Sequence, residues 1–228
     1  MRSIVSLVAL AVIGAGIAVS LDEIPFGAVK SRVGGHYVDL GREQTGASNI
    51  VTAVVVNYRG FDTLGEVTVL FVAAMGLGAV LATRRNKQKP DIESASLVLY
   101  TGCRFLFPLI LLFGAYIFIH GHLTPGGGFQ GGAVVASAFV LVYLGCRGKK
   151  INETGSKLVE SAGGLIFILV GFAGLAVGGH YFLSNYLPRG ELNTLFSAGV
   201  IPIIYIAIGL KVGSELAGVI DRLVEEST

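Results

Sequence analysis

"FPLILLFGAYIFIHGHLTPGGGFQGGAVVASAFVLVYL", residues 107–144, consists of two long apolar runs on either side of a short turn. Neither run carries a charge. With its flanks, the first run reaches the length of a membrane-spanning helix, roughly 20 apolar residues. Pro125 cannot continue the helix before it, and the glycines beside it let the two runs approach closely. The stretch therefore predicts two membrane helices that are joined by a tight hairpin.

The rest of the chain has the same apolar character. Of its 228 residues, 53% are hydrophobic and 14% are charged, and the mean hydropathy is +0.72. Soluble domains carry about 25% charged residues. Six segments predict membrane spans, at residues 3–21, 63–83, 105–119 with its flanks, 126–146, 161–179 and 192–210. The first is longer than the apolar part of a signal peptide, about 7–15 residues, so a retained helix is favoured over a cleaved signal.

The distribution of Lys and Arg predicts the orientation of these spans. Twelve of the 17 basic residues lie near the termini and the loops after the second and fourth spans, and five lie on the other side. Loops rich in Lys and Arg stay in the cytoplasm. We therefore expect a multi-pass protein of the cell membrane with both termini in the cytoplasm. The net charge of +2 is explained by this bias and does not suggest a nucleic-acid partner.

The chain is predicted to divide into a two-helix block, residues 1–89, and a four-helix block, residues 90–228. Between their helices lies the charged stretch "TRRNKQKPDIES", residues 83–94, which is expected to be a cytoplasmic linker. A polar insert, residues 22–48, is expected outside the cytoplasm. Within it, "HYVDL", residues 36–40, is predicted to form a short strand of a hairpin.

A short apolar run, residues 50–56, precedes the second span and is too short to cross a membrane. Residues 57–62 interrupt the apolar pattern, and Gly60 offers a hinge. We predict a short helix at the membrane surface, then a bend, then the span. A single continuous tilted helix is the alternative.

Two carboxylates stand at the start of the second span. Asp62 and Glu66 are four residues apart and therefore share one helical face. Asp62 either caps the helix or contributes to an ion path, and Arg59 is placed to pair with it. Glu66 lies roughly 6 Å deeper, where an ionised side chain is costly unless it is paired, hydrated or protonated. For Glu66 a role in carrying protons or cations is favoured over that of a satisfied interfacial carboxylate.

The turn between the two runs has the glycine spacing of a dinucleotide-binding fingerprint at residues 126–131. That fingerprint requires a preceding strand, whereas membrane helices flank this turn, so the match is accidental. His120 and His122 have no further ligand nearby, so no metal site is predicted. Each histidine either relays protons on an ion path or makes structural hydrogen bonds. The turn itself is assigned to Pro125, Gly126, Gly127, Gly128 and Gln130.

Other ionisable residues are predicted to be interfacial. Lys211 and Glu215 lie near the end of the last span, and Lys211 can extend its ammonium to the surface. Glu160 is expected to pair with Lys157 at the start of the fifth span, and His180 ends that span. Two cysteines are too few for a disulfide framework or a cysteine-based metal site, so Cys103 and Cys146 are expected to be free structural thiols. No cofactor-binding motif is found, and no cofactor is predicted.

Two motifs resemble one known family. Residues 107–144 resemble the signature of the MnhB/MrpB family, which supplies one membrane subunit of the multisubunit Mrp-type sodium/proton antiporters, and the resemblance extends over about residues 95–224. "NYRGFDTLGEVTVLFVAAMGLGAVL", residues 57–81, is similar to a segment that ends the large first subunit of many antiporters. A similar segment is a small separate subunit in archaeal membrane-bound hydrogenases and their sulfur-reducing relatives. Here both segments are joined in one chain, which departs from the usual division into subunits.

The resemblance implies a place in a large assembly that couples proton movement to sodium movement. The implied partners are large antiporter-like subunits, small membrane subunits and, in the hydrogenase-type relatives, a peripheral redox module. It also implies that Glu66, the glutamate of the "DTLGE" motif, lies on the ion path. The MnhB-type subunit has no known catalytic centre, so this chain is not expected to be an enzyme by itself.

The expected protein is therefore an all-α integral membrane subunit with six spans, an extracytoplasmic insert and a short interfacial helix. Its expected role is to help form the ion path of a cation/proton antiporter module, alone or within an ion-translocating oxidoreductase. Asp62, His120 and His122 would shape the local field and water access around Glu66. An autonomous small permease and a purely structural scaffold subunit are the alternatives.

Overall fold

The computed structural model describes residues 2–22, 32–84, 95–145, 152–178 and 181–227. These residues form helices and loops, without a β-strand among them. The helices are α1 Arg2–Asp22, α2 Arg32–Thr45, α3 Ile50–Thr52, a π-helical turn Ala53–Tyr58, α4 Gly60–Arg84, α5 Leu97–Ile119, α6 Gly128–Gly145, α7 Glu153–Gly178 and α8 Ile201–Ser227. Among the described residues, six of these helices (α1 and α4 to α8) are long and apolar enough to cross a membrane. The predicted all-α multi-pass fold is confirmed.

The chain separates into two compact units, Met1–His36 and Tyr37–Thr228. The first unit contains α1, whose side chains from Ile4 to Asp22 are all exposed. A helix that is apolar on every side belongs in a membrane or against other apolar helices. The described surface of α1 is therefore suited to lipid or to helices of other proteins.

The second unit is built around α8, which contacts α4, α5, α6 and α7. Small residues let the helix backbones approach where lipid supplies no hydrophobic drive for association. A Cβ added to Gly132 of α6 would lie 2.8 Å from Cβ of Val212 on α8. One added to Gly209 of α8 would lie 2.5 Å from the ring of Phe118 on α5. Glycine at these crossings therefore sets the close spacing of the bundle.

The apolar core of the second unit lies where α4, α7 and α8 meet the segment before α4. Val56, Val67, Phe167, Leu183 and Ile204 are all almost completely buried there. The core joins residues before the 83–94 stretch to residues after it. The proposed boundary between a two-helix and a four-helix block near residue 90 remains a prediction.

The predicted break before the second span is present. Asn49 caps α3, because its side-chain oxygen accepts the Val51 amide at 3.0 Å. The helical path leaves regular geometry at Arg59, whose φ is −122° and ψ is 31°, and α4 begins at Gly60. A Cβ on Gly60 would lie 2.6 Å from Leu183, so glycine lets the chain turn against that side chain. The single continuous helix is not found, and the membrane-surface position stays a prediction.

The prediction of a strand at residues 36–40 is wrong, because these residues lie in α2. In the second unit, Tyr37, Gly41 and Thr45 are four residues apart and fall on one helical face. The Tyr37 ring stacks on Tyr58 with 4.7 Å between ring centroids, and Gly41 and Thr45 are buried. Side-chain contacts with a four-residue period thus outweigh the short alternating pattern. The predicted hairpin is absent from residues 32–45, and residues 23–31 lie outside the described part.

The sixth span was placed too early, at residues 192–210, whereas α8 begins at Ile201. Residues 181–200 form a loop in which Gly190, Asn193, Ala198 and Gly199 adopt φ values between 59° and 68°. Such left-handed residues cannot continue a helix. Asn185 holds the end of this loop, because its Oδ1 accepts the Val200 amide at 3.1 Å and its Nδ2 donates to the Ala198 carbonyl at 3.2 Å.

Some predictions fall outside the described residues. They include most of the linker at residues 83–94, together with Cys146 and His180. Cys103 is buried, and its Sγ donates to the carbonyl of Tyr100 at 3.1 Å. This agrees with the structural role that was predicted for it.

Candidate functional site

The first turn of α4 carries the predicted pair of Arg59 and Asp62. Nε of Arg59 donates to Oδ2 of Asp62 at 2.6 Å, and at least half of each side chain is exposed. An exposed pair of this kind contributes about 0–1 kcal/mol of stability. The Thr63 hydroxyl donates to the Val55 carbonyl at 2.6 Å, a hydrogen bond that spans the break between the π-helical turn and α4. Asp62 is therefore neutralised locally, as its spacing from Arg59 indicated.

Glu66 lies on the exposed face of α4, six residues and about 9 Å along the helix from Gly60. Thr63 and Val67 are buried, whereas Glu66 and Val69 are exposed. Within the described ranges, Glu66 makes no hydrogen bond or ion pair. An ionised group in a membrane span without a partner is costly. This face of α4 therefore requires water, a proton or a partner from beyond the described residues.

The turn between α5 and α6 is the tight hairpin that the sequence predicted. The helix α5 ends at His120, whose amide donates to the Tyr116 carbonyl at 3.0 Å, and α6 begins at Gly128. A Cβ on Gly128 would lie 2.6 Å from Ile208, and one on Gly121 would lie 2.7 Å from the ring of Tyr205. The turn thus packs directly against α8. Pro125 and Gln130 are exposed on it, and Gly126 and Gly127 link them.

The two histidines of the turn have different surroundings. His120 stacks on Tyr116 with 4.3 Å between ring centroids, and its Nδ1 lies 3.1 Å from the Tyr116 carbonyl. His122 is completely buried, and neither ring nitrogen makes a hydrogen bond of ordinary geometry to a described residue. Burial lowers the pKa of His122, although backbone groups of Thr194 and Leu195 favour its protonated form. Burial of the ring therefore disfavours the protonated form of His122.

A network that the sequence did not reveal locks this turn to the segment before α4. The side-chain Nδ2 of Asn49 donates to the carbonyls of Gly121 and Thr124 at 3.0 Å each. The backbone N–H of Asn49 donates to the His122 carbonyl at 3.1 Å. Thr52 donates to the Gly121 carbonyl at 2.6 Å. An Asn before an apolar run is a recognisable helix-capping signal, but its partners about 70 positions away carry no signal in the sequence.

The predicted ion-path residues do not form one cluster. No hydrogen bond or ion pair in the described ranges joins Asp62 or Glu66 to His120 or His122. Likewise, no three His, Cys, Asp or Glu side chains in the described part of the chain stand in a metal-binding arrangement. A joint role for α4 and the turn remains a proposal.

The prediction for Lys211 and Glu215 is wrong, because both side chains are buried rather than extended to the surface. Nζ of Lys211 lies 2.7 Å from Oε2 of Glu215, and the side chains are 9% and 2% exposed. Gly163 and Gly164 of α7 leave space for Lys211, since a Cβ on Gly163 would lie 3.1 Å from the Lys211 Cβ. The ring of Phe71 on α4 lies over the ammonium, with 5.2 Å between Nζ of Lys211 and the ring centroid. Hydropathy did not reveal that α7 and α4 close over this pair.

The expected pairing of Glu160 with Lys157 is also corrected. Lys157 approaches Glu153 instead, with 3.4 Å between Nζ and Oε2 on the exposed side of α7. Glu160 is half-buried and faces a cleft beside Glu215. The spacing of three residues between Lys157 and Glu160 allows an ion pair. Lys157 instead pairs with Glu153, which lies one turn earlier on α7 and is exposed.

Comparison with family models matches most of the chain. Residues 98–218 match a domain described as related to the MnhB subunit of Na+/H+ antiporter, which is more than half of the chain. Residues 1–98 match a model described as MbhE, a subunit of MBH. The two matches meet at residue 98, at the start of α5.

Three similar proteins are named as subunits or chains of larger complexes. The B-type subunit of the Na+/H+ antiporter of Alkalihalophilus pseudofirmus is 38% identical over 109 residues, which cover 46% of this chain and 74% of that protein. A chain of the archaeal membrane-bound sulfane sulfur reductase, a respiratory membrane complex, is 45% identical and superposes with a TM-score of 0.83 over 98% of both chains. A chain of the Mrp complex from Dietzia sp. is 28% identical, with a TM-score of 0.73 over 97% of this chain and 26% of that chain.

Proposed function

The chain belongs to the family of domains related to the MnhB subunit of Na+/H+ antiporter, and from this we propose that it is a membrane subunit of a multisubunit Mrp-type sodium/proton antiporter module. In this role it helps to form the ion path and holds no catalytic centre of its own. The observation that carries the proposal is Glu66, which makes no ion pair within the described residues and lies on an exposed face of a membrane-spanning helix.

The exposed surfaces support a subunit over an autonomous permease. Only 6% of the α4 span is buried. A transporter working alone needs a cavity enclosed by its own helices, with its polar groups facing inward. Glu66 instead faces outward, where a second protein can supply the opposite wall of a path. The exposed faces are then contact surfaces for large antiporter-like subunits and small membrane subunits.

The full-length likeness to a chain of the sulfane sulfur reductase supports a more specific proposal. The chain is then part of a respiratory complex in which a peripheral redox module drives the ion exchange. Purification of the native complex through a tag on this chain tests the assembly. Copurified antiporter-like and iron–sulfur subunits are expected, whereas a chain that emerges alone and monodisperse would overturn the subunit assignment.

The role of Glu66 is tested in the assembled complex. Sodium-dependent proton movement is measured with a pH-sensitive dye in inverted membrane vesicles that contain the complex with Glu66→Gln. We expect transport to be lost, because the amide has the shape of the acid but cannot release a proton. Glu191→Gln, an exposed loop change of the same chemistry, is expected to leave transport unchanged.

Two results would favour the alternatives. Unimpaired transport by an intact complex with Glu66→Gln would support a purely structural subunit. Sodium-dependent transport in vesicles that contain this chain without other subunits would support a permease. Assembly of the variant is checked by copurification, and Glu66→Asp, which keeps an ionisable carboxyl group, is the second variant.

The orientation with both termini in the cytoplasm is part of the proposal. It places the α5–α6 turn and the loop at residues 181–200 outside the cytoplasm, and the ends of α4, α6 and α8 at the cytoplasmic face. Labelling of single cysteines in intact cells with a membrane-impermeant maleimide tests it. Reaction is expected at Glu191→Cys in the exposed loop and not at Glu153→Cys at the start of α7.

A further inference from the structure

A cleft of about 240 Å³ opens between α4, α7 and α8, far along α8 from the α5–α6 turn. Its α4 wall is apolar and includes Phe71 and Met75, whereas α7 and α8 contribute four carboxylates. These are Glu153, which pairs with Lys157, and Glu160, Glu215 and Asp221. Glu215 lies nine residues, or about 14 Å, before Val224 at the end of the α8 span. The cleft therefore brings acidic groups to membrane depth on the proposed cytoplasmic side.

Glu215 is the buried end of this cleft. Its side chain is 2% exposed, and Oε2 is bound by the Lys211 ammonium at 2.7 Å. The second oxygen, Oε1, is buried and has no hydrogen-bond partner among the described residues. A buried carboxylate normally uses both oxygens, because each unsatisfied lone pair costs free energy. Oε1 is thus a buried hydrogen-bond acceptor that has no described partner, on a residue that lines a polar cleft.

The charges around Glu215 suit a proton better than a metal cation. From its own helix it faces Lys211 and Asp221, and from α7 it faces Glu160, which is within electrostatic reach. The described wall from α4 contributes no charged side chain, and its Phe71 ring lies over the Lys211 ammonium. Lys211 already occupies the position that a cation would take, and the described residues include no metal-binding group of three ligands. Lys157 and Arg222 at the rim add further positive charge.

We propose that this cleft is a proton-exchange site, in which Glu215 takes up and releases a proton at Oε1 while Lys211 remains bound at Oε2. The proton comes from a hydronium ion in the cleft, and it leaves a water molecule behind. Uptake converts the carboxylate to a neutral acid, and release returns the proton to water. Lys211 keeps its own proton throughout and provides the counter-charge of the ionised state. Glu160 and Asp221 line the route between Glu215 and the aqueous mouth.

The inference rests on the proposed function, because proton exchange at this depth serves transport only in a chain that lines an ion path. The site is nevertheless distinct from Glu66. Glu66 points outward from α4, whereas Glu215 is enclosed between α7 and α8. Protonation of Glu215 can therefore be measured independently of any transport by Glu66.

Infrared difference spectroscopy of the purified intact complex tests the site directly. Acidic-minus-alkaline spectra of the wild type are expected to contain the C=O stretching band of a newly protonated carboxylic acid. That band is expected to be lost in Glu215→Gln and to remain in Glu191→Gln. It should also shift in D₂O, because the cleft admits water. A Glu215→Gln spectrum identical to that of the wild type would overturn the proposal.

A second variant keeps the test decisive if Glu215→Gln does not assemble. Glu215→Asp retains an acid, so its band is expected at a changed frequency, and an unchanged spectrum would again overturn the site. Transport separates this site from the proposed function. If the Glu215 band is present but Glu66→Gln transports normally, the role of Glu66 fails and the proton site stands. If Glu66→Gln abolishes transport but no Glu215 band exists, the proton site fails and the proposed function stands.

Discussion

The hydroxyl of Tyr205 donates to Oγ1 of Thr52 at 3.0 Å, which joins α8 to α3 across 153 positions of sequence. Thr52 in turn donates to the Gly121 carbonyl at 2.6 Å, so three separate segments share one buried chain of hydrogen bonds. Each group in the chain satisfies the next in an environment without bulk water. The α5–α6 turn is therefore positioned by Thr52 as much as by its own proline and glycines.

Replacing Thr52 with Val is expected to destabilise the full chain by about 1–3 kcal/mol. The substitution keeps the shape of the side chain but leaves the Tyr205 hydroxyl without its acceptor and the Gly121 carbonyl with Asn49 as its remaining donor. The measurement is thermal unfolding of the full chain in detergent. Thr68→Val is the matched control, since exposed Thr68 bonds only to Leu64 of its own helix. Equal effects of the two changes would contradict a special role for Thr52.

Acidification is expected to destabilise the protein through His122. Burial lowers its pKa in the folded chain, so the unfolded chain binds the proton more tightly. The stabilising contribution of the neutral ring is complete above the ordinary pKa of about 6.5 and is lost as the pH falls below that value. Unfolding temperatures measured at a series of pH values, from above the ordinary histidine pKa to well below it, check this dependence.

The control for this pH dependence is the second histidine of the turn. His122→Asn is expected to flatten the acid side of the stability profile, because it removes the buried ring that must be protonated on unfolding. His120→Gln is expected to retain the profile. A wild-type profile that persists unchanged in His122→Asn would assign the acid sensitivity to another group.

The membrane spans could largely be predicted from sequence, because a bilayer requires long apolar helices whose backbone groups are satisfied internally. The spans predicted from hydropathy therefore overlap the observed helices α1 and α4 to α7. The start of α8 was missed because Leu192, Leu195 and Phe196 are apolar but lie in a loop. The left-handed residues Ala198 and Gly199 are held by hydrogen bonds of Asn185 and Arg189 in the same loop, which hydropathy does not reveal.

The candidate site shows the same division between local and distant interactions. The Arg59–Asp62 pair follows from a spacing of three residues on one helix, and the structure confirms it. The burial of Lys211 and Glu215 depends on which helices pack over α8, which a spacing of four residues cannot reveal. Asn49 was not singled out from the sequence, and its bonds to the α5–α6 turn arise only from the tertiary fold.

Adding a methyl group at Gly128 is expected to destabilise the bundle. In Gly128→Ala the new Cβ would lie 2.6 Å from Ile208 and 2.9 Å from the Tyr205 carbonyl, so α6 and α8 must separate. Overpacking of this kind costs about 1–3 kcal/mol. Gly102→Ala in α5 meets nothing within 4 Å in this chain and is the control. Unfolding of both variants in detergent is compared, and equal stability would show that the α6–α8 contact is looser than described.

Removing one partner of the buried Lys211–Glu215 pair is expected to cost more than removing both. Lys211→Met leaves the Glu215 carboxylate enclosed without its counter-charge, and such changes destabilise by about 3–5 kcal/mol. The double change Lys211→Met with Glu215→Leu removes both charges together, so its cost is expected to be smaller than that of Lys211→Met alone. Unfolding of the full chain in detergent measures all variants under the same conditions.

The exposed pair on α7 provides the comparison for this double-mutant cycle. Lys157 and Glu153 have the same i,i+4 spacing, but their side chains are 62% and 66% exposed. Water solvates either partner when the other is removed, so each single change is expected to cost no more than about 1 kcal/mol. Additive costs for Lys211 and Glu215, like those of the exposed pair, would mean that the two buried charges do not depend on each other. A strong coupling at Lys211 and Glu215 alone would instead show that α4 and α7 exclude water from this pair, which is the condition under which Glu215 needs Lys211 as its counter-charge.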